Sequence, residues 1–165
     1  MLNPDFKKNL LRLLAENGRK SEAEIAEQLG APAATVAEAI RKLEDDKVII
    51  GYRAVFDESQ LPEYAVKAII EVKTRPEREG GFDKIAKRLS KFPQVSSLYL
   101  MSGGFDLLVE VQGKNLQEVA TFVSRKLATQ DGVLSTATHF LLKKYKESGK
   151  LMQEEEGNER LNITL

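Results

Sequence analysis

Few side chains are available for chemistry. His139 is the only histidine, and the chain has no cysteine. A transition-metal site would need unusual carboxylate ligation, and thiolate chemistry is closed. Neither a Gly-rich phosphate loop nor a Gly-x-Ser-x-Gly elbow occurs, and Gly103-Gly104 is too short for either. These absences point away from an enzyme and call for no metal and no cofactor. Recognition chemistry remains. An arginine can hold guanine through two hydrogen bonds, and lysine neutralises phosphate. Arg41 and Lys42 could do both if a helix carried them into a DNA groove. Ala34, Thr35 and Glu38 would stand beside them, with Lys47 and Arg53 just beyond.

Residues 1–57 supply such a helix. Asn3-Pro4 offers an N-cap and a first helical position, and Phe6, Leu10, Leu11 and Leu14 follow at helical spacing. Asn17-Gly18 closes this helix. Ser21-Glu22-Ala23-Glu24 is a capping box, Ile25, Ala26 and Leu29 form the buried face of a second helix, and Gly30 ends it. Pro32 opens a third helix with the core face Val36, Ala39, Ile40 and Leu43. Two short helices joined by a tight Gly turn have the spacing of a helix-turn-helix, whose second helix can enter a major groove. The outward stripe of that helix is Ala34, Ala37, Glu38, Arg41 and Asp45, with Lys42 at its edge. Val48 to Phe56 reads as a strand or short wing. The same pattern also suits a helical packing unit that binds nothing, because fold does not settle function.

Charge gives little guidance. Over 165 residues, 25 basic and 25 acidic side chains cancel, and residues 1–57 hold nine bases against ten acids. Weak DNA binding per subunit, made useful by several subunits acting together, is the expectation. Hydrophobic content of 42% and charged content of 30% are ordinary for a globular protein. No apolar run approaches the roughly 18 residues that suggest a membrane span. Met1 to Asp5 lacks a signal-peptide pattern, so a cytoplasmic location is expected.

Asp57 to Pro62 is polar and ends in proline, and residues 58–63 are expected to form a hinge. From Tyr64 the period becomes two. Val66, Ala68, Ile70 and Val72 alternate with Lys67, Ile69, Glu71 and Lys73 in a first strand. A helix with Phe82, Ile85, Ala86 and Leu89 follows, then a strand from Val95 to Met101. Phe105 to Val111 is a third strand, Leu116 to Leu127 a helix, and Val133 to Tyr145 a final strand. The order β-α-β-β-α-β predicts an antiparallel sheet with two helices on one face, over residues 64–149. The other face must be wet or covered by another subunit. Ile69, Tyr99, Leu108 and Leu141 are candidates for it and favour a dimer formed sheet to sheet. His139 reads as a solvated or interface histidine. Lys143, Lys144 and Lys146 read as a solvated strand end that could also touch wrapped DNA. Residues 150–165 form a charged tail with Glu154, Glu155, Glu156 and Glu159, in which Leu161, Ile163 and Leu165 could dock on a neighbour.

The run Ile25-Ala26 to Leu29-Gly30, Val36, Ile40-Arg41-Lys42-Leu43-Glu44, Val48-Ile49 and Gly51-Tyr52 resembles the N-terminal domain of the Lrp/AsnC (leucine-responsive, or feast-famine) regulators. Three positions depart from the family. Pro32 stands where a serine usually opens the third helix, Ala39 where an arginine commonly precedes Ile40, and Lys47 where a glycine commonly precedes Val48. Ser102-Gly103-Gly104-Phe105-Asp106 is similar to the family's glycine, variable, aromatic, aspartate pattern before the third strand, and Thr136-Ala137-Thr138 to its last strand. The resemblance spans residues 3–146. It implies an α+β chain, a winged helix-turn-helix followed by a ferredoxin-like βαββαβ domain of the RAM/ACT-like kind. It implies a sequence-specific regulator with double-stranded DNA and a small effector, an amino acid, as partners, working as homodimers that assemble to an octamer.

The effector residues it implies are Gly103, Gly104, Phe105, Asp106, Thr136 and Thr138. Glycines let backbone donors approach a carboxylate, aspartate can receive an ammonium, and threonine hydroxyls can bond either. Gly103-Gly104 can also simply shape a hairpin, and threonines suit strands. Two other readings stand beside this one. Glu38 and Asp45 on the outward stripe suit an oligomeric effector sensor that has lost specific DNA binding. Sirohaem decarboxylases resemble this family in fold, although a lone His139 provides poorly for such an enzyme.

Overall fold

A computed structural model describes residues 3–76 and 80–152. The chain divides between Ala54 and Val55 into two compact units. The first holds α1 (Pro4–Glu16), α2 (Glu22–Leu29) and α3 (Ala33–Asp45). Asn3 caps α1 through its side chain. Ser21 and Glu24 form the reciprocal capping box on α2, and these bonds hold the Glu24 carboxyl below its ordinary range. Gly30, at φ 61°, takes the left-handed conformation that turns the chain sharply into α3. Leu10, Ile25, Val36, Ala39 and Leu43 close the core between the three helices. The expected wing strand does not form. After α3 the backbone N–H groups of Val48 and Ile49 both return to the Leu43 carbonyl, and residues 50–57 have no regular structure. A strand needs a ladder partner, and this segment has none in the first unit.

The second unit holds β1 (Val66–Thr74), α4 (Asp83–Leu89), β2 (Val95–Leu100), β3 (Leu107–Gly113), α5 (Leu116–Phe122) and β4 (Val133–Phe140). The sheet is ordered β2-β3-β1-β4, with every neighbouring pair antiparallel. Period-two alternation sorts its faces. Ala68, Ile70, Val72, Leu107, Val109 and Val111 are fully buried beneath Ile85 and Leu89 of α4 and Val119 and Phe122 of α5. Phe92 meets Phe122 edge to face, with centroids 5.5 Å apart. The helix expected from Leu116 to Leu127 widens after Phe122 into a π-turn over Val123–Leu127, closed by the bond from Ala128 N–H to the Val123 carbonyl.

Three expectations change at the edges of this unit. The final strand stops at Phe140 instead of running to Tyr145. The chain then forms a small hairpin, β5 (Lys146–Glu147) with β6 (Lys150–Leu151), across the expected start of the tail. Residues 153–165, which include the expected docking residues Leu161, Ile163 and Leu165, lie outside the described residues. The expected hinge also takes another form. Residues 58–64 make two 3-10 turns, Glu58–Gln60 and Pro62–Tyr64. They are tied to the second unit, because Lys144 Nζ lies 2.8 Å from Glu58 and 3.1 Å from Glu147. A polar run looks like a linker in sequence, but a distant lysine makes it part of the domain.

Burial works against the charge on Lys144, but its hydrogen bonds to Glu58 and Glu147 outweigh that and raise its pKa. Its stabilisation is therefore complete below the unfolded lysine value of about 10.4 and fades as pH rises through the higher folded value. Replacing Lys144 by Met is expected to cost about 1–3 kcal/mol near neutral pH. Denaturant unfolding at rising pH should show the gap between the two proteins closing only in the strongly alkaline range.

Candidate functional site

The first unit presents α3. Val36, Ala39 and Leu43 face its core, and Ala34, Thr35, Glu38, Arg41, Lys42 and Asp45 are exposed. Ala34, Glu38 and Arg41 thus fall on one outward stripe, with Thr35 and Lys42 flanking it. Arg41 is exposed, and its Nε donates to the Ala37 carbonyl at 3.4 Å, a bond that does not use its two terminal nitrogens. Pro32 occupies the N-cap, so no side chain caps α3. Lys47 lies two residues past the helix at φ 56°, a left-handed conformation that a glycine would take without strain. Arg53 sits exposed in the irregular stretch that replaces the wing. Lys47 and Arg53 therefore stand off the stripe.

One strut went unread in the sequence. The Tyr52 hydroxyl donates to Glu44 Oε1 at 3.0 Å, and its ring lies over Gly18, where a Cβ would come within 3.2 Å of it. Partial burial and then the bond to Glu44 raise the Tyr52 pKa. This strut fastens the stretch after α3 to the helix end and occupies Glu44, one of the acids nearest Arg41. No periodicity could have signalled it.

In the second unit, residues 101–106 connect β2 to β3. The Met101 N–H donates to the Asp106 carbonyl, and the Asp106 N–H donates to the Val72 carbonyl. Asp106 Oδ2 accepts the Thr74 N–H at 2.7 Å. Gly103, at φ 143°, permits the bend, and residues 101–104 are exposed. Gly103, Gly104, Phe105 and Asp106 are thus gathered at one end of the sheet. Thr136 and Thr138 stand on the far side of β1, opposite Val72 and Ile70. Two strand spacings, about 10 Å, separate them from the β3 side. One subunit does not bring the threonines to the turn. His139 lies on the open face with Nε2 3.4 Å from Glu71.

Residues 67–151 match the Lrp/AsnC ligand binding domain, and residues 4–50 match the winged helix-turn-helix DNA-binding family. The chain belongs to the Lrp/AsnC family of transcriptional regulators. The HTH-type transcriptional regulator YugG of Bacillus subtilis (strain 168) is 44% identical over 156 residues, covering 94% of each chain. The leucine-responsive regulatory protein of Rhizobium meliloti (strain 1021) is 30% identical over 139 residues, covering 84% of this chain and 88% of its own. The transcriptional regulator of Neisseria meningitidis solved as a complex with L-Met shares the fold. Its TM-score is 0.69 at 24% identity, over 89% of this chain and 94% of that one. Among the described residues of this Lrp/AsnC regulator, no helix is long and apolar enough to cross a membrane.

The Asp106 tie yields a test. Asp106→Ala leaves the Thr74 N–H without its acceptor and is expected to cost about 1–3 kcal/mol. Thermal unfolding should show a midpoint lower by several degrees, while Asp106→Asn, which keeps an acceptor oxygen, recovers most of the loss.

Proposed function

We propose that this regulator reads a specific DNA sequence through α3, in the cytoplasm, and that a small amino acid bound in its second unit alters its assembly on that DNA. It acts by binding and not by catalysis. Ala34, Thr35, Glu38, Arg41 and Lys42 form the reading stripe, and Lys47 and Arg53 contribute phosphate contacts. The observation that carries the proposal is the joining of two units in one chain, one matching a DNA-binding family and the other a ligand-binding domain. The L-Met complex of the Neisseria protein supports an amino acid as the effector class.

The effector site is assigned to Gly103, Gly104, Phe105, Asp106, Thr136 and Thr138. Because β1 separates the turn from the threonines within one subunit, the two halves of the site are assigned to different subunits. Occupancy then acts on assembly directly, since the ligand binds one assembly state better than the other. The open sheet face supports the dimer. It exposes Tyr99 beside the half-buried Ile69 and Leu108, and it pairs Lys67 with Glu110 at 3.1 Å. Further association of dimers, to an octamer, places several reading helices on one DNA, which offsets weak binding by each.

Fluorescence anisotropy on DNA upstream of the chain's own gene, against scrambled DNA, tests this reading. Sequence-dependent binding is expected, with an affinity that an amino-acid mixture changes. Arg41→Ala should lose about tenfold or more on the specific duplex and little on the scrambled one. Equal binding to both duplexes at every salt concentration would refute sequence reading.

A further inference from the structure

We infer that Glu38 is a specificity-determining residue that accepts a hydrogen bond from the N4 amino group of a cytosine. The inference rests on α3 being the DNA-reading helix. Val36, Ala39 and Leu43 define the buried side of α3. At 3.6 residues per turn, Glu38 lies about 130° round the helix from their centre, on the exposed side with Ala34 and Arg41. Its neighbours on the N-terminal side are small, Ala34 one turn before it and Ala37 beside it, and Arg41 follows one turn on. A DNA groove that receives the stripe therefore receives this carboxylate.

Three acids of the first unit are engaged locally. Glu24 bonds Ser21, Glu44 bonds Tyr52, and Glu16 faces Lys20 at 3.6 Å. Glu38 has no hydrogen-bond or ion-pair partner among the described residues, so its acceptor oxygens are unused. A carboxylate removed from water without a donor is strongly destabilising. The major groove offers two base donors, cytosine N4 and adenine N6. Adenine sets its N7 acceptor beside N6, which repels a carboxylate and suits an amide instead. Guanine and thymine present only acceptors there. Cytosine is the base that matches. Arg41 follows about 4.5 Å along the helix axis, close to one base step, where it matches guanine. Together they specify two G·C pairs, adjacent or nearly so, in each half-site.

The test is selection from a randomised duplex pool by the full-length chain and by its Glu38→Gln and Glu38→Ala variants. The unaltered chain should enrich a C·G pair at one position of each half-site. Glu38→Gln should turn that position to A·T and leave the others unchanged. Glu38→Ala should lose the preference there, with about tenfold weaker binding to the original best site. If Glu38→Ala keeps every base preference and binds all duplexes more tightly, Glu38 only repels phosphate and the inference is overturned. A pool from which the unaltered chain enriches nothing would instead overturn the DNA-reading assignment beneath it.

Discussion

β1 is hydrogen-bonded along both edges, to β3 over Val66–Val72 and to β4 over Ala68–Thr74. That double pairing constrains the rest of the second unit. It fixes Ala68, Ile70 and Val72 under the helices, and it sends Lys67, Ile69, Glu71 and Lys73 to the other face. Lys67 is only 8% exposed there, and its ammonium is compensated by Glu110 across the register. A buried cation without that partner would cost several kcal/mol. A slip of β1 by one residue would carry Lys67 into the apolar layer, away from Glu110, so the ion pair favours the observed pairing. The end of β1 also anchors the turn motif, because Asp106 bonds the backbone of both Val72 and Thr74.

The fold was legible where one local rule acts over several residues. The Ser21–Glu24 box, the Gly30 turn and the alternation of Ala68, Ile70 and Val72 each named their elements before any tertiary contact was known. Where a distant partner decides the outcome, the reading fell short. Residues 58–63 look like a hinge because their anchor, Lys144, lies more than 80 residues away. Val48 to Phe56 looks like a strand by composition, yet no strand among the described residues pairs with it. The final strand stops at Phe140 although Leu141 and Leu142 continue its apolar character. The candidate site divides in the same way. The outward stripe of α3 follows from helical geometry alone. That Thr136 and Thr138 stand across β1 from Asp106 depends on strand order, which no motif records.

The two units act through different physics. The proposed recognition by α3 would have little nonspecific attraction to draw on, since residues 1–57 carry ten acids against nine bases. Such a surface discriminates through hydrogen bonds to bases more than through phosphate neutralisation. Its affinity then depends on how many copies engage one DNA, which makes assembly a natural point of control. The proposed effector site, divided between subunits, would supply that control, within the limit set by the ligand's differential affinity for the assembled and separated states.

Sedimentation velocity combined with operator binding, on the unaltered chain and on Ile69→Asp, bears most directly on this coupling of assembly to DNA recognition. Ile69 sits at the centre of the open face, and an aspartate there would oppose a second sheet while leaving the helix-packed core untouched. Dimers or larger assemblies of the unaltered chain are predicted, with monomers and much weakened operator binding for Ile69→Asp. An unaltered chain that stays monomeric while binding its operator tightly, or an Ile69→Asp chain that assembles and binds unchanged, would contradict it.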